Sequence, residues 1–538
     1  MSLIRLKSRF SSALKLQCLK RISSGSLTFI RANTSRAQRR TMSETATLRN
    51  TDLRAITLDE LFKHTSGRWL VNEECQIAQH YVQFDIEKLC RLAASLFSNQ
   101  TKCARVTKIE GNYNIALLIT MDDGNEVIAK IPCPNAGLPF YRTASEVATL
   151  EFLQSLTTIR VPKVLAWSSR SDNPIGVEYI IMEKIPGIPL TERWETMNLL
   201  ECYKIIDQIV DMEKELKSLK YPAYGSIYLR DDVSNEFQGC PFPSVQDPAQ
   251  LFCVGPYCNG ISLLENVDKS ATDAGPWLSF DDYTCSIPQC ELDFIAKFPS
   301  KSVDEYGTLL AKASSIFPAL SRDPRVTKLS SPFLRHPYLD LSNILISPDD
   351  ATAIQGIVDW QSSKITPLFV QAHFPDFVIP PKDYILGPGI PTLPEDFDKL
   401  SSEQQEQAVR NNRLATLSKY YEMVTLIRNE SVHDALVLDR RLSELFTCYE
   451  LFPDGTLVPL RNCLIRVFQD WAHLGLPGQC PFGFTKEELE RHGEHLVTEQ
   501  LRTDNTGWYL YDMFIDTMSE EMSPEAAAKK WPFPPEDV

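Results

Sequence analysis

A chain of 538 residues that is 43% hydrophobic, 23% charged and 10% aromatic has the composition of a globular protein with one large core or two to three ordinary ones. No apolar run reaches the roughly 18 residues that a membrane-spanning helix needs. A formal net charge of −15 argues against a nucleic-acid surface spread over the whole molecule, so no nucleic-acid partner is expected.

The charge is unevenly placed. Residues 1–42 hold ten Lys or Arg and no Asp or Glu, with Ser scattered between them. Within that stretch Leu3, Ile4, Leu6, Phe10, Leu14 and Leu16 leave basic residues between apolar ones, as an amphipathic helix would. Arg-rich, Ser-rich and acid-free is the composition of a mitochondrial transit peptide, which predicts import through the mitochondrial machinery to the matrix. The alternative is a basic arm that binds RNA or acidic lipid. A secretory signal fits poorly for want of an unbroken apolar core. Without residues 1–42 the chain keeps 45 Lys and Arg against 70 Asp and Glu, so the body is acidic, at −25.

After a lead-in over residues 43–100, with a short helix expected around Ile86–Phe97, a strand-rich block begins. In "CARVTKIEGNYNIALLITMDDGNEVIAKIP" two β-type runs flank "DDG", a hairpin signal. "YRTASEVATLEFLQSL" then carries Val147, Leu150 and Leu153 at helical spacing, with Thr143 or Ser145 available to cap it. "VPKVLAWSS" and "GVEYIIMEKIPG" read as two further strands.

From about Pro189 the helical signals lengthen, and "NLLECYKIIDQIVDMEKELKSL" is one amphipathic helix. Residues 221–300 are loop-rich, as an insertion or lid would be. "RHPYLDLSNIL" at Arg335–Leu345 leads to "GIVDWQ", then to a Pro-rich connection over 362–397 and a largely helical remainder. Fourteen cysteines stand mostly alone, and Cys253/Cys258 and Cys285/Cys290 are the close pairs. No C-x-x-C occurs, so neither zinc nor a disulfide framework is indicated, and reduced, mostly buried thiols are expected. His492 and His495 read as a solvated helix face.

Taken in this order, "SEVATLEFLQSLTTIRVPKVLAWSS", "EYIIMEKIPG", "RHPYLDLSNILIS", "GIVDWQ" and "RVFQDWAHLGLPGQCPF" resemble the aminoglycoside phosphotransferase superfamily. More narrowly, they resemble its fungal mitochondrial group named for altered inheritance of mitochondria protein 9. The resemblance runs from about Lys102 to the C-terminus. It implies an α+β, protein-kinase-like two-lobed fold, with a β-rich N-lobe over 101–187 and a mainly helical C-lobe over 188–538. ATP and Mg²⁺ are the implied cofactors, and a hydroxyl-bearing small molecule the implied acceptor. An acidic body suits a cationic acceptor.

The resemblance assigns roles residue by residue. Lys130 would reach the nucleotide phosphates, with Glu146 in the next helix holding its ammonium; a surface Lys and a solvated Glu are the plain alternative. Gly111 marks the phosphate-covering turn, though a kinase loop has several glycines there. Main-chain groups of Glu183 to Ile185 would meet the adenine edge. Asp359 and Asn343 would hold the metal through hard oxygens, and His336 would brace the loop.

One position departs from the family pattern His-x-Asp-x-x-x-x-Asn: Tyr338 stands where the catalytic base should be, and a phenol of pKa about 10 is a poor proton acceptor near neutrality. Asp340 follows two residues on, up to roughly 7 Å away along an extended chain. Either Asp340 has taken over through a rerouted loop, or transfer proceeds without a base, which contributes about 10²–10⁴-fold. The third possibility is a pseudokinase that binds nucleotide to set a regulatory surface. An Asp340 carboxylate facing the cleft near Asn343 favours the enzyme; one that caps a structure or faces solvent favours the pseudokinase.

Overall fold

In the computed structural model, the described residues are 47–492 apart from 52, 66–72, 99, 110, 112, 138, 234–238, 259–273, 287, 289–300 and 448–456. The predicted transit peptide, His495 and Cys290 lie outside them. The described chain divides into two compact units. One comprises 47–136 with Pro174–Val177, the other Gly137–Asn173 with 178–492.

The first unit is built on strands β1 (Thr47–Arg49), β2 (Cys103–Ile109), β3 (Asn114–Met121) and β4 (Glu126–Pro132), hydrogen-bonded in that order. β2, β3 and β4 form an antiparallel meander, and β1 joins β2 in parallel. The hairpin read from "DDG" lies between β3 and β4, where Gly124 takes φ +87°, a conformation glycine reaches without steric cost. Among the described residues three helices precede β2: α1 (Leu58–Phe62), α2 (Glu73–Gln79) and α3 (Ile86–Ser95). α3 is started by Asp85, whose side chain accepts from the Lys88 amide. It stops two residues short of the expected Phe97. Lys108, on the β2 face opposite Lys130, is buried and its Nζ donates to the carbonyls of Glu60 and Lys63, tying the end of α1 to the sheet.

The second unit opens with α4 (Tyr141–Leu156) and the antiparallel strands β5 (Val164–Ser168) and β6 (Tyr179–Glu183). The expected caps are not caps. The helix starts earlier, at Tyr141, which places Thr143 and Ser145 inside it. The Glu178 carboxylate serves its first turn instead, accepting from the Phe140 amide at 2.9 Å and the Thr143 hydroxyl at 2.6 Å. β7 (Ile188–Pro189) leads to α5 (Leu199–Ser218), whose capping box pairs Asn198 with Glu201. Within the loop-rich stretch, β8 (Ser226–Leu229), β9 (Cys240–Pro241) and β10 (Phe252–Gly255) form a small sheet in the order β8-β10-β9.

α6 (Lys301–Ser321) precedes two β-hairpin-like pairs. β11 (Pro332–Leu334) pairs with β14 (Ile365–Pro367), and β12 (Ile344–Ile346) pairs with β13 (Ile354–Ile357) on one side and β7 on the other. The long helix α7 (Ser402–Arg428) and α8 (Val458–Asp470) complete the unit. Its core joins α4, α5, α6, α7 and α8 through residues such as Phe152, Ile209, Leu310, Trp360, Tyr421 and Leu464, all 2% exposed or less. Among the described residues no helix is long and apolar enough to cross a membrane. The architecture is α+β, as expected, with a β-rich N-terminal part and a mainly helical C-terminal part.

Candidate functional site

The decisive loop joins β11 to β12, and its geometry is set from below. Arg335, 2% exposed, leaves β11 and is clamped by Glu213 of α5, with Nε to Oε1 at 2.8 Å and Nη2 to the same oxygen at 2.7 Å. Nη1 donates to the Gln371 carbonyl at 3.0 Å, and the Tyr421 hydroxyl donates to the second Glu213 oxygen at 2.8 Å. A charge this deep persists only when paired and hydrogen-bonded throughout, and the nearby Glu213 carboxylate outweighs burial to hold the guanidinium above its usual range.

His336 follows, 1% exposed, with its ring edge-on to Trp360 at 4.6 Å. Its Nε2 donates to the Val358 carbonyl at 2.9 Å and its Nδ1 accepts from the Tyr338 amide at 3.3 Å. Burial pushes the imidazole down to about 4, so it is neutral near pH 7, and these two bonds select the Nε2–H tautomer. The residue thus ties the start of the loop to the residue before Asp359.

Hairpin β12–β13 brings Asn343 and Asp359 together at one end. Ile344 pairs with Ile357, and the Val358 amide donates to the Asn343 carbonyl at 3.0 Å. The Asn343 side-chain nitrogen donates to the Tyr338 carbonyl at 2.8 Å, leaving the amide oxygen as the group to offer a cation. Asp359 itself stands at φ +64°, a left-handed conformation that costs a non-glycine residue about 1 kcal/mol or more and that clusters at functional sites. A carboxylate and an amide oxygen are the hard donors that Mg²⁺ takes, with the remaining positions filled by phosphate and water oxygens. Among the described residues no group of three or more His, Cys, Asp and Glu forms a cage, so a cation at this hairpin depends on such outside oxygens.

Tyr338 is 48% exposed at the position of the family's base. The chain between it and Asp340 is not extended, contrary to the assumption behind the 7 Å separation. The Asp340 amide donates to the Tyr338 carbonyl at 3.0 Å, which folds these three residues into a tight turn. Asp340 Oδ1 accepts from the Ser342 amide at 2.7 Å, the Ser342 hydroxyl at 2.6 Å and the Asn343 amide at 3.1 Å. That oxygen therefore caps the turn that delivers Asn343, as Asp side chains commonly do. Any proton-accepting role would fall to Oδ2.

The segment Glu183 to Gly187 lies against the same hairpin. The Glu183 amide donates to the Lys163 carbonyl at 2.8 Å, and its carboxylate meets Arg160 at 3.5 Å. Ile185, 3% exposed, packs over Gly356, where an added Cβ would stand 2.5 Å from the Ile185 Cδ1. Gly187, at φ +149°, lets the chain pass so close to β12 that a Cβ would lie 2.8 Å from the Ile346 carbonyl oxygen.

Lys130 and Gly111 belong to the first unit, Glu146 to the second. Lys130 pairs across β3 with Ala116, whose other neighbour Ile109 ends β2 just before the turn that holds Gly111. An added Cβ at Gly111 would lie 3.0 Å from the Asn114 carbonyl oxygen, a position few side chains tolerate. Lys130 is 8% and Glu146 4% exposed, so the surface-Lys and solvated-Glu alternative does not describe them.

Two contributors were not singled out in the sequence. Glu213 left a signal: a lone acid on the apolar stripe of Ile206, Ile209, Val210 and Leu216. Asp376 left none. Partial desolvation of its carboxyl, then the neighbouring Asp340, raises it above the usual range, although the residue as a whole is exposed.

No protein-family model matches the chain. A subtelomeric hrmA-associated cluster protein of Aspergillus fumigatus is 30% identical over 439 residues, covering 73% of this chain and 84% of that protein. The altered inheritance of mitochondria protein 9, mitochondrial, of Yarrowia lipolytica is 23% identical over 513 residues, 85% of each chain. Its namesake in Saccharomyces cerevisiae is 23% identical over 573, covering 85% of this chain and 87% of that one. Among solved structures, the streptomycin–ATP–APH(2″)-IIa ternary complex overlaps 74% of this chain and 98% of its own at 12% identity, with a TM-score of 0.38.

Proposed function

This chain belongs to the fungal family of the Aspergillus cluster protein and is similar to altered inheritance of mitochondria protein 9, and we propose that it is a mitochondrial ATP-dependent phosphotransferase of the aminoglycoside phosphotransferase type, acting on a hydroxyl of a small molecule. The observation that supports this reading is the β12–β13 hairpin, which brings Asn343, its amide nitrogen engaged by the Tyr338 carbonyl, to the same end as Asp359, held at φ +64°. Bound Mg²⁺ would supply charge neutralisation on the phosphate oxygens. In the second unit Asp359 and Asn343 would hold it and main-chain groups of Glu183 to Ile185 would meet the base; in the first unit Lys130 and Gly111 are the residues proposed for the phosphates. The basic, acid-free residues 1–42 and the word "mitochondrial" in the relatives' names support import.

A second reading is favoured by a specific observation. Tyr338 stands at the base position and Asp340 Oδ1 already accepts three hydrogen bonds, which supports a pseudokinase that keeps its nucleotide site without turnover as the alternative. Thermal unfolding of the full chain with and without Mg·ATP tests the shared part. A ligand at a hundred times its Kd adds about 2.7 kcal/mol to the native state. Wild type is expected to gain a melting shift that Asp359→Ala abolishes; no shift in a folded wild type overturns both readings. Turnover of ATP by wild type, raised in Tyr338→Asp, supports the enzyme, and binding without turnover supports the pseudokinase.

A further inference from the structure

The segment "RVFQDWAHLGLPGQCPF", Arg466–Phe482, has no part in the nucleotide site. It runs off the end of α8 and forms one wall of a cleft of about 490 Å³, whose other wall is the C-terminal end of α6 and the residues that follow it. Pockets that hold small molecules have volumes of about 300–1,000 Å³. The apolar lining is held in place. Trp471, 6% exposed, donates through Nε1 to the Gly478 carbonyl at 3.1 Å, and its own carbonyl accepts from the Leu476 amide at 3.3 Å, which closes this loop on itself. Pro318, Pro324, Pro477 and Pro481 supply further surface, and proline has almost no rotamer freedom to lose when covered.

The two charged residues of the lining are not equivalent. Asp323 is already neutralised: it accepts from Arg325 through Nε at 2.9 Å, Nη2 at 2.7 Å and the backbone amide at 2.8 Å, and the same Nη2 donates to the Leu474 carbonyl at 2.6 Å. Arg322 is exposed and makes no hydrogen bond or ion pair among the described residues; the same holds for the Gln479 carboxamide. The cleft therefore keeps an uncompensated positive charge, although the chain has 70 Asp and Glu against 55 Lys and Arg.

We propose that this cleft binds a small apolar monocarboxylate, with its carboxylate on the Arg322 guanidinium, Gln479 as a second donor, and its apolar body against Trp471 and the prolines. A guanidinium fork matches a planar carboxylate through two parallel hydrogen bonds. A phosphate ester carries nearly two negative charges and calls for a second cation, which the lining does not supply. A cationic ligand is disfavoured, because Arg325 already occupies Asp323 and Arg322 would repel it. The cleft lies within the second unit and shares no residue with the nucleotide site, so the proposal does not rest on ATP binding or turnover.

The test is saturation-transfer NMR on the full chain, with benzoate, phenylacetate and hexanoate as probes and benzamide as the neutral counterpart of benzoate. Folded wild type is expected to transfer saturation to at least one of the acids, and far less to benzamide. Arg322→Gln alters an exposed side chain, so the fold, checked by circular dichroism, should be retained while the acid binds roughly ten- to a hundredfold more weakly, the loss expected for one charge-assisted contact. Ser315→Trp, at another exposed position of the lining, fills the cleft and should abolish binding with Arg322 intact. Acid binding that survives either substitution unchanged overturns the proposal. So does benzamide binding as well as benzoate, or no transfer to any of the acids from folded wild type at millimolar concentration.

Discussion

Substituting Glu213 by Gln would isolate a buried charge directly beneath the loop. In wild type the Glu213 carboxylate is 1% exposed and receives Arg335 through Nε and Nη2 at 2.8 and 2.7 Å, and Tyr421 at 2.8 Å. The Gln amide keeps the shape but leaves the Arg335 guanidinium without a counter-charge, and its nitrogen confronts either an arginine or a tyrosine donor. Removing one partner of a buried pair costs about 3–5 kcal/mol, because the other ion stays desolvated. For a unit this large that corresponds to a fall in melting temperature of roughly 4–7 °C. Arg335→Met together with Glu213→Leu should cost distinctly less than the two single changes summed, since neither ion is then stranded. Because Arg335 precedes His336, the single variants should also weaken stabilisation by Mg·ATP. The assay is thermal or urea unfolding followed by far-UV circular dichroism, as a double-mutant cycle. Single variants that each lose less than about 1 kcal/mol, with strict additivity, would refute the argument, because that is how exposed pairs behave.

Two further outcomes are expected. His336 is neutral in the folded protein and falls to about 4 there, against about 6.5 unfolded, so the unfolded chain binds the extra proton between these values. Its contribution is fully present above about pH 6.5 and is lost as pH falls toward 4, by about 3 kcal/mol in all; His336→Gln should flatten that part of the wild-type stability-versus-pH profile, and an unchanged slope would count against a buried neutral imidazole. Gly187→Ala places a methyl 2.8 Å from the Ile346 carbonyl oxygen at φ +149°, so it should lose about 1–3 kcal/mol in urea unfolding and reduce the Mg·ATP shift; a neutral effect would mean that the segment does not need its close approach to β12.

The sequence by itself determined the class of fold, because hydrophobic period carries that information locally. The hairpin at "DDG", the strand runs through Ser168 and Glu183, and the amphipathic helix over Leu199–Ser218 all stand where periodicity and turn chemistry put them. The roles of His336, Tyr338, Asp340, Asn343 and Asp359 were read from the resemblance to a family pattern that runs along the chain in one dimension. Helix entry was less legible. Thr143 and Ser145 have the chemistry of caps, but a carboxylate at Glu178, distant in sequence, took the task and released them into the helix.

What Asp340 does required the folded chain. Sequence spacing treats the stretch from Tyr338 as extended, whereas two local hydrogen bonds to its carbonyl turn it back and set Asp340 Oδ1 on the amides that lead to Asn343. Glu213 was hidden for a related reason: its partner is 122 residues away, and only the packing of α5 beneath β11 turns an ill-placed acid into the counter-charge of Arg335. Local pattern records what each residue prefers. Which donor meets which acceptor is fixed by closure of the chain, through contacts far apart in sequence.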